Sequence, residues 1–143
     1  MEVIIIITSI IATLTTYYLS KVFGFSKVLA SALPSFIVAL VFHLQLFAIE
    51  TDYANNITLA FFGATFCGMT GHRLMKTWYD LILTGFLFGI LFLLIGKYFK
   101  GFGGGLGVIA CISVITYFVI LKTIVVIHQL RKREKVFSRN DSV

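Results

Sequence analysis

Long apolar runs alternate with short polar breaks along the whole chain. A helix needs about 20 apolar residues to cross a bilayer core of roughly 30 Å, and five runs come near that length. The breaks between them are too short to form a domain outside the membrane. The pattern therefore predicts an all-α, polytopic integral membrane bundle of about five transmembrane helices, with spans near 3–20, 28–47, 57–71, 78–96 and 103–122 or further.

The third run is the shortest, so that a full crossing and a re-entrant segment are both open. Five crossings with the N-terminus outside place ten of the twelve basic residues inside and leave only Lys97 and Lys100 outside. A re-entrant third segment places Lys21 and Lys27 with these two, opposite the other eight. Because basic residues concentrate on the inner side of membrane proteins, we expect five crossings, with the C-terminus inside.

Composition agrees with a membrane location. The chain is 59% hydrophobic and 13% charged, with a mean hydropathy of +0.99, whereas soluble domains are about half apolar and about a quarter charged. We therefore expect a multi-pass protein of a cell or inner membrane, with a transmembrane domain over residues 1–130 and a polar, mobile, basic cytoplasmic tail over residues 131–143. This tail holds five of the twelve basic residues, which favours topology or lipid contact over nucleic-acid binding.

Small residues recur four positions apart in the third, fourth and fifth runs. Residues at this spacing share one face of a helix, and small side chains let two helices approach closely in lipid. We expect helix packing within the chain or between copies, in a homo-oligomer or membrane complex. The residues are Gly63, Cys67 and Gly71 in the third run, with Ala60, Ala64 and Gly68 as a second series there, Gly85 and Gly89 in the fourth run, and Gly103 and Gly107 in the fifth.

The glycine-rich stretch "KGFGGGLG" before the fifth run has a second interpretation. No GK[ST] sequence follows it, and no strand is expected before it, so that it lacks the context of a phosphate-binding loop. Unwound glycine carbonyls can coordinate ions. An ion-coordinating turn therefore stays open beside the packing interpretation.

The first helix is rich in hydroxyl side chains. Ser9, Thr13, Thr16 and Ser20 follow one another at i, i+4, i+7 and i+11, so they share one face. These hydroxyls either bond to carbonyls of their own helix or line a path for a solute. His43, a titratable residue near the end of the second span, is a further pathway candidate.

The sequence lacks the common motifs of catalytic and metal-binding sites. No Asp or Glu lies at the centre of a predicted span, no HExxH motif occurs, and the two cysteines are not spaced as CxxC. We expect no enzyme, no metal and no cofactor.

Two functions fit this pattern. The first is a small membrane protein that forms or contributes to an ion or solute pathway as an oligomer. The alternative is a non-conducting membrane subunit that scaffolds a larger complex through its basic tail, with Arg131, Lys132, Arg133 and Lys135 as docking residues.

Overall fold

The computed structural model of the protein describes the backbone of residues 2–44, 51–70, 75, 77–99 and 104–140, and the side chains of all of these except 51, 97, 99 and 132–140. Within these ranges the chain forms five α-helices and one short 3-10 helix. They are α1 (Glu2–Val22), α2 (Lys27–His43), α3 (Thr51–Gly68), α4 (Trp78–Ile95), the 3-10 helix (Gly96–Phe99) and α5 (Gly105–Asn140). The all-helical class predicted from the sequence is confirmed.

Three of these helices are long and apolar enough to cross a membrane: α1, α4 and the part of α5 from Gly105 to Arg131. Helix α2 is apolar but has 17 residues, and the predicted end of its span at Phe47 lies outside the described residues. Helix α3 begins at Thr51, six residues before the predicted span. Asp52 in its first turn lies at the positive end of the helix dipole, where a negative charge is favourable. The helix therefore begins with polar residues, before its apolar part.

Helix α5 is longer than the sequence pattern indicates. It runs without interruption to Asn140, through most of the segment that we expected to be a mobile tail. From Val108 to Asn140 the sequence contains neither glycine nor proline, and its lysine, arginine and glutamate residues are good helix formers. Polarity alone was therefore a poor guide to where this helix ends.

Helix α1 lies at the centre of the bundle and contacts α2, α3 and α4, while α5 packs against α3 and α4. A four-residue turn joins α1 to α2. In this turn Gly24 has a φ of +65°, a left-handed conformation that glycine adopts without steric cost. Ser26 then caps α2, since its Oγ accepts a hydrogen bond from the amide of Leu29 at 3.3 Å.

Side-chain contacts give the helix directions. Thr13 of α1 lies beside Ala64 of α3, and Thr16 lies beside Gly68, so that α1 and α3 run in the same direction. By the same reasoning, Ile6 beside Gly89 and Ile10 beside Gly85 make α1 and α4 antiparallel.

Helix α5 runs parallel to α3. Leu106 lies near Gly63, and the thiol of Cys67 donates a weak hydrogen bond to the carbonyl of Ala110 at 3.8 Å. The main apolar core lies between these helices, where α1, α3, α4 and α5 meet. Its buried members are Ala12, Phe61, Ala64, Cys67, Phe88, Ile109 and Ala110.

Candidate functional site

Three hydroxyl side chains of α1 lie in the interior of the bundle. Ser9, Thr13 and Thr16 are each 0% exposed, and we call these three residues the hydroxyl seam. Ser20, the fourth residue on this face, is half-buried near the end of the helix. The helical spacing read from the sequence thus identifies the face of α1 that turns inward.

Two hydroxyls of the seam bond to backbone carbonyls. Ser9 Oγ donates to the carbonyl of Ile5 at 2.8 Å. Thr13 Oγ1 lies 2.9 Å from the carbonyl oxygen of Ser9 and 3.2 Å from that of Ala64, so that its one proton is shared between α1 and α3. These hydroxyls are satisfied inside the chain and need no water.

The third hydroxyl of the seam differs from the other two. Among the residues that the structure describes, Thr16 Oγ1 has no hydrogen-bond partner although it is fully buried. An unpaired buried hydroxyl costs about 1–3 kcal/mol. Thr16 is therefore the one seam residue whose polar atom weakens the fold.

Glycines of the neighbouring helices form the wall opposite the seam. A Cβ added to Gly68 would lie 2.6 Å from the carbonyl oxygen of Thr13 and 2.7 Å from the Cβ of Thr16. On α4, a Cβ at Gly85 would lie 3.0 Å from Ile10 Cα and 3.2 Å from the carbonyl oxygen of Ser9. Both glycines thus let α3 and α4 touch the backbone of α1 directly.

The remaining glycine of the α4 motif continues this contact. A Cβ at Gly89 would lie 3.0 Å from Ile6 Cα, one turn further along α1. Gly85 and Gly89 therefore act together as a four-residue-spaced groove for α1, which is the arrangement that small residues permit in membrane bundles.

Gly63 and Cys67 of α3 pack against α4 and α5. A Cβ at Gly63 would lie 2.5 Å from Phe88 Cζ of α4 and 3.3 Å from Leu106 Cδ2 of α5, and Cys67 is fully buried in the same core. Gly68, from the second predicted series of this run (Ala60, Ala64 and Gly68), is the α3 glycine that contacts the seam. Gly71 lies outside the described residues.

Two glycines at the start of α5 have no such contacts with the described part of the chain. A Cβ at Gly107 would meet nothing within 4 Å, and neither would one at Gly104. Gly103 lies outside the part of the chain that the structure describes. A packing role for Gly107 therefore stays a prediction.

His43 is not part of the seam. It occupies the last turn of α2 and is exposed, and α2 contributes Ser31 and Ser35 to the buried polar set instead. Both of these serines bond to carbonyls of their own helix, Ser31 to Val28 at 2.9 Å and Ser35 to Ser31 at 2.7 Å.

A second polar contact, which the sequence did not reveal, joins α4 to α5. Tyr117 is 4% exposed, and its hydroxyl donates to Asp80 Oδ1 at 2.6 Å. Asp80 Oδ2 accepts from the amide of Thr77 at 3.0 Å, which is half of a capping box at the start of α4. The T-x-x-D spacing was readable, but no local pattern links two residues that are 37 positions apart.

Tail residues lie at the far end of α5. Arg131 is exposed, and the backbone of Lys132, Arg133 and Lys135 continues the helix. No group of three or more His, Cys, Asp or Glu side chains within the described ranges could hold a metal ion.

Comparison with known proteins does not assign this chain to a family. No protein-family model, no curated protein sequence and no solved structure matches this chain.

Proposed function

We propose that the chain crosses a membrane five times, with its N-terminus outside and its C-terminus inside. The alternating helix directions support this topology, since α1, α3 and α5 run one way and α4 runs the other, as consecutive crossings require. Lys21 and Lys27 lie at the end of the bundle where α4 begins, which is the inner end under the basic-residue bias. Helix α2, at about 26 Å, is just long enough for a crossing.

We further propose that the protein is a non-conducting, non-enzymatic membrane subunit that supports a larger complex. The observation that carries this proposal is the closed hydroxyl seam. Thr13 gives its proton to carbonyls of α1 and α3, and Gly68 and Gly85 bring neighbouring helices against the α1 backbone. Backbones this close favour a dry contact over a water-filled path, since a buried water needs about 10–15 Å³ of free space and two or more polar partners.

Other buried hydroxyls support the same conclusion. Each bonds to a carbonyl of its own helix instead of facing a shared space. These are Thr65 to Phe62 at 2.6 Å, Thr84 to Asp80 at 2.7 Å and Ser113 to Ile109 at 2.7 Å.

A solute pathway is the second candidate, and Thr16 is the observation that favours it. Its hydroxyl is buried and unpaired within the described chain, so an opening between α1 and α3 near Gly68 would expose a polar group that is ready to bind water or a solute. In an oligomer, such an opening would need the two helices to separate.

Flux through proteoliposomes that contain only this protein distinguishes the two candidates. We expect proton, potassium, chloride and neutral-osmolyte fluxes equal to those of protein-free vesicles, with a pore-forming peptide as the positive control. Selective flux that is lost in Thr13→Leu and kept in Thr123→Leu would support the pathway instead. Thr123 is the matched control because its hydroxyl also bonds within its helix, to Val119 at 2.8 Å, but lies on an exposed surface.

The supporting role is tested separately by the size of the complex in mildly solubilised native membranes. We expect the protein to migrate in an assembly larger than its own oligomer. Replacing Arg131, Lys132, Arg133 and Lys135 by glutamine should reduce that assembly to the free protein. An unchanged size in this variant would refute docking through the tail.

A further inference from the structure

The basic residues near the C-terminus continue the backbone of the last helix. Helix α5 has 36 residues, from Gly105 to Asn140, and extends about 54 Å, whereas the apolar core of a bilayer is about 30 Å thick. No glycine or proline follows Gly107 in this helix to cause a sharp bend. Under the membrane placement proposed above, α5 therefore crosses once, and its basic end projects from the inner surface as a continuation of the same helix.

One face of this projecting end is basic. Four residues follow one another at i, i+4, i+7 and i+11, so that at 100° per residue they share a sector of about 60°. They are His128, Lys132, Lys135 and Arg139, and we call them the basic face. His128 is exposed, and the helical backbone continues through the other three positions.

The charges of the basic face have no counter-charge within their own helix. Side chains of one helix pair when they are three or four positions apart, and no acidic residue lies at that distance from Lys132, Lys135 or Arg139. Glu134 has this spacing to Arg131 alone among the basic residues. The face instead carries like charges at i, i+3 and i+4, which repel one another. Binding of an anionic partner would relieve that repulsion.

A lipid surface is a poor match for the whole face. On a helix that projects from the membrane, Arg139 lies about 10 Å further from the bilayer than Lys132. The screening length at physiological salt is about 8 Å, so that headgroups attract the first turn of the basic end more than the last. A second copy of this chain in the same orientation would present the same charges and is repelled.

A nucleic acid also lacks an essential feature here. Proteins that bind single strands without sequence preference combine basic residues with aromatic side chains on which the bases stack. Phe137 is the one aromatic residue between Arg131 and Asn140, and its position lies about 170° from the middle of the basic face. Bases paired with these charges would therefore have no ring to stack on.

We propose that the basic face binds an acidic α-helix of a cytoplasmic partner protein. Two helices that pack side by side meet through residues spaced three and four apart, and charges along such a contact select the partner. The partner helix would thus carry carboxylates at i, i+4, i+7 and i+11, matching the basic face turn by turn. This inference rests on the supporting role proposed above, and it names the chemistry of the partner and the side of α5 that meets it.

Synthetic helices test the proposal on the full-length protein. The chain is reconstituted in nanodiscs of phosphatidylcholine, which has no net charge, and the discs are immobilised. The first probe is an alanine-rich helical peptide with glutamates at i, i+4, i+7 and i+11. The second has the same composition, but its glutamates are spread around the helix. Each peptide is titrated in solution, and its dissociation constant is measured.

Two double variants separate the face from net charge. Lys132→Gln with Lys135→Gln removes two charges from the basic face, whereas Arg131→Gln with Arg133→Gln removes two charges beside it. Glutamine is a good helix former, so that both variants keep the helix, and circular dichroism checks this.

We expect the first peptide to bind the parent chain more tightly than the second. The change on the face should weaken binding of the first peptide by roughly five- to thirtyfold, since each exposed ion pair contributes up to about fivefold in affinity. The change beside the face should weaken it by less than about threefold, because salt screens charges that are not in contact.

Four results would overturn the proposal. Equal affinity for the two peptides, or equal weakening by the two variants, would show that net charge alone attracts the probe. Tighter binding of a single-stranded oligothymidylate than of the first peptide would point to a nucleic acid. Loss of peptide binding when phosphatidylglycerol is added to the discs would assign the face to lipid.

Failure of this inference and failure of the supporting role have different signatures. If the assembly in native membranes is larger than the protein's own oligomer but the two peptides bind equally, the basic face is not the docking surface. If the first peptide binds as expected but no larger assembly exists, the supporting role is wrong.

Discussion

Replacing Gly68 by alanine is the sharpest perturbation of the contact between α1 and α3. The new Cβ would lie 2.6 Å from the carbonyl oxygen of Thr13 and 2.7 Å from the Cβ of Thr16. Ordinary contact begins at 3.4 Å, so the helices must separate by several tenths of an ångström. Neither neighbouring atom is the end of a flexible side chain that could turn away. The strain therefore falls on the backbone of both helices.

Gly107→Ala is the reference against which the loss of stability in Gly68→Ala is measured. Both glycines lie in a terminal turn of a helix, so that neither substitution gains more than the roughly 0.5–1 kcal/mol that alanine gains over glycine in a helix interior. Overpacking costs typically about 1–3 kcal/mol, and it applies only to Gly68, since a Cβ at Gly107 meets nothing within 4 Å. We therefore expect Gly68→Ala to be less stable than Gly107→Ala by about 1–3 kcal/mol.

Unfolding by SDS in mixed micelles, followed by far-ultraviolet circular dichroism, measures this difference. The two variants and the parent chain are compared in the same lipid and detergent mixture. If Gly68→Ala and Gly107→Ala agree within about 0.5 kcal/mol, the reasoning from direct backbone contact at Gly68 is wrong.

Further expectations concern single hydroxyl groups and use the same unfolding assay. Thr16→Val removes an unpaired buried hydroxyl and should stabilise the chain by about 1 kcal/mol. Thr13→Val loses a hydrogen bond between helices and should destabilise the chain by about 0.6 kcal/mol. If both substitutions changed the free energy of unfolding in the same direction, the assigned hydrogen bonds would be wrong. Tyr117→Phe removes a donor to the Asp80 carboxylate and should cost about 1.5–3 kcal/mol. The same change in an Asp80→Asn background should cost clearly less, and an undiminished cost would show that the hydroxyl acts elsewhere.

The sequence was a good guide to local features of this fold. Apolar run length predicted a helical bundle, and i, i+4 and i+7 spacing placed Ser9, Thr13 and Thr16 on one face of α1. Spacing of four also identified Gly85 and Gly89, which contact α1. These features depend only on the geometry of a single helix, which is why one sequence suffices to find them.

Features that depend on two helices were out of reach. The sequence of α1 alone does not tell whether its hydroxyl face packs against the glycines of another helix or lines an open pathway. That depends on which helix packs there and in what register. The bond between Tyr117 and Asp80 likewise needs α4 and α5 to be antiparallel and aligned. Gly68 belongs to the second four-residue series of the third run, with Ala60 and Ala64, but nothing in that spacing states that α1 is the helix it contacts.

The end of α5 shows a third kind of limit. The change from apolar to basic residues near Arg131 is clear in the sequence, and it suggested that the helix ends there. Helix formation follows backbone propensity, however, and no glycine or proline interrupts this segment. Composition therefore marks where α5 changes from apolar to basic residues, but it does not mark where the helix ends.

Thiol accessibility in proteoliposomes tests most directly whether the hydroxyl seam is a dry contact between helices. Ser9→Cys, Thr16→Cys and Ser20→Cys are made singly in the Cys111→Ser chain and exposed to a small, charged methanethiosulfonate reagent. Ser20, half-buried at the end of α1, serves as the accessible control. We expect modification at position 20 and none at positions 9 and 16 while the protein stays folded. Rapid modification at positions 9 and 16 would instead show a water-filled path along α1.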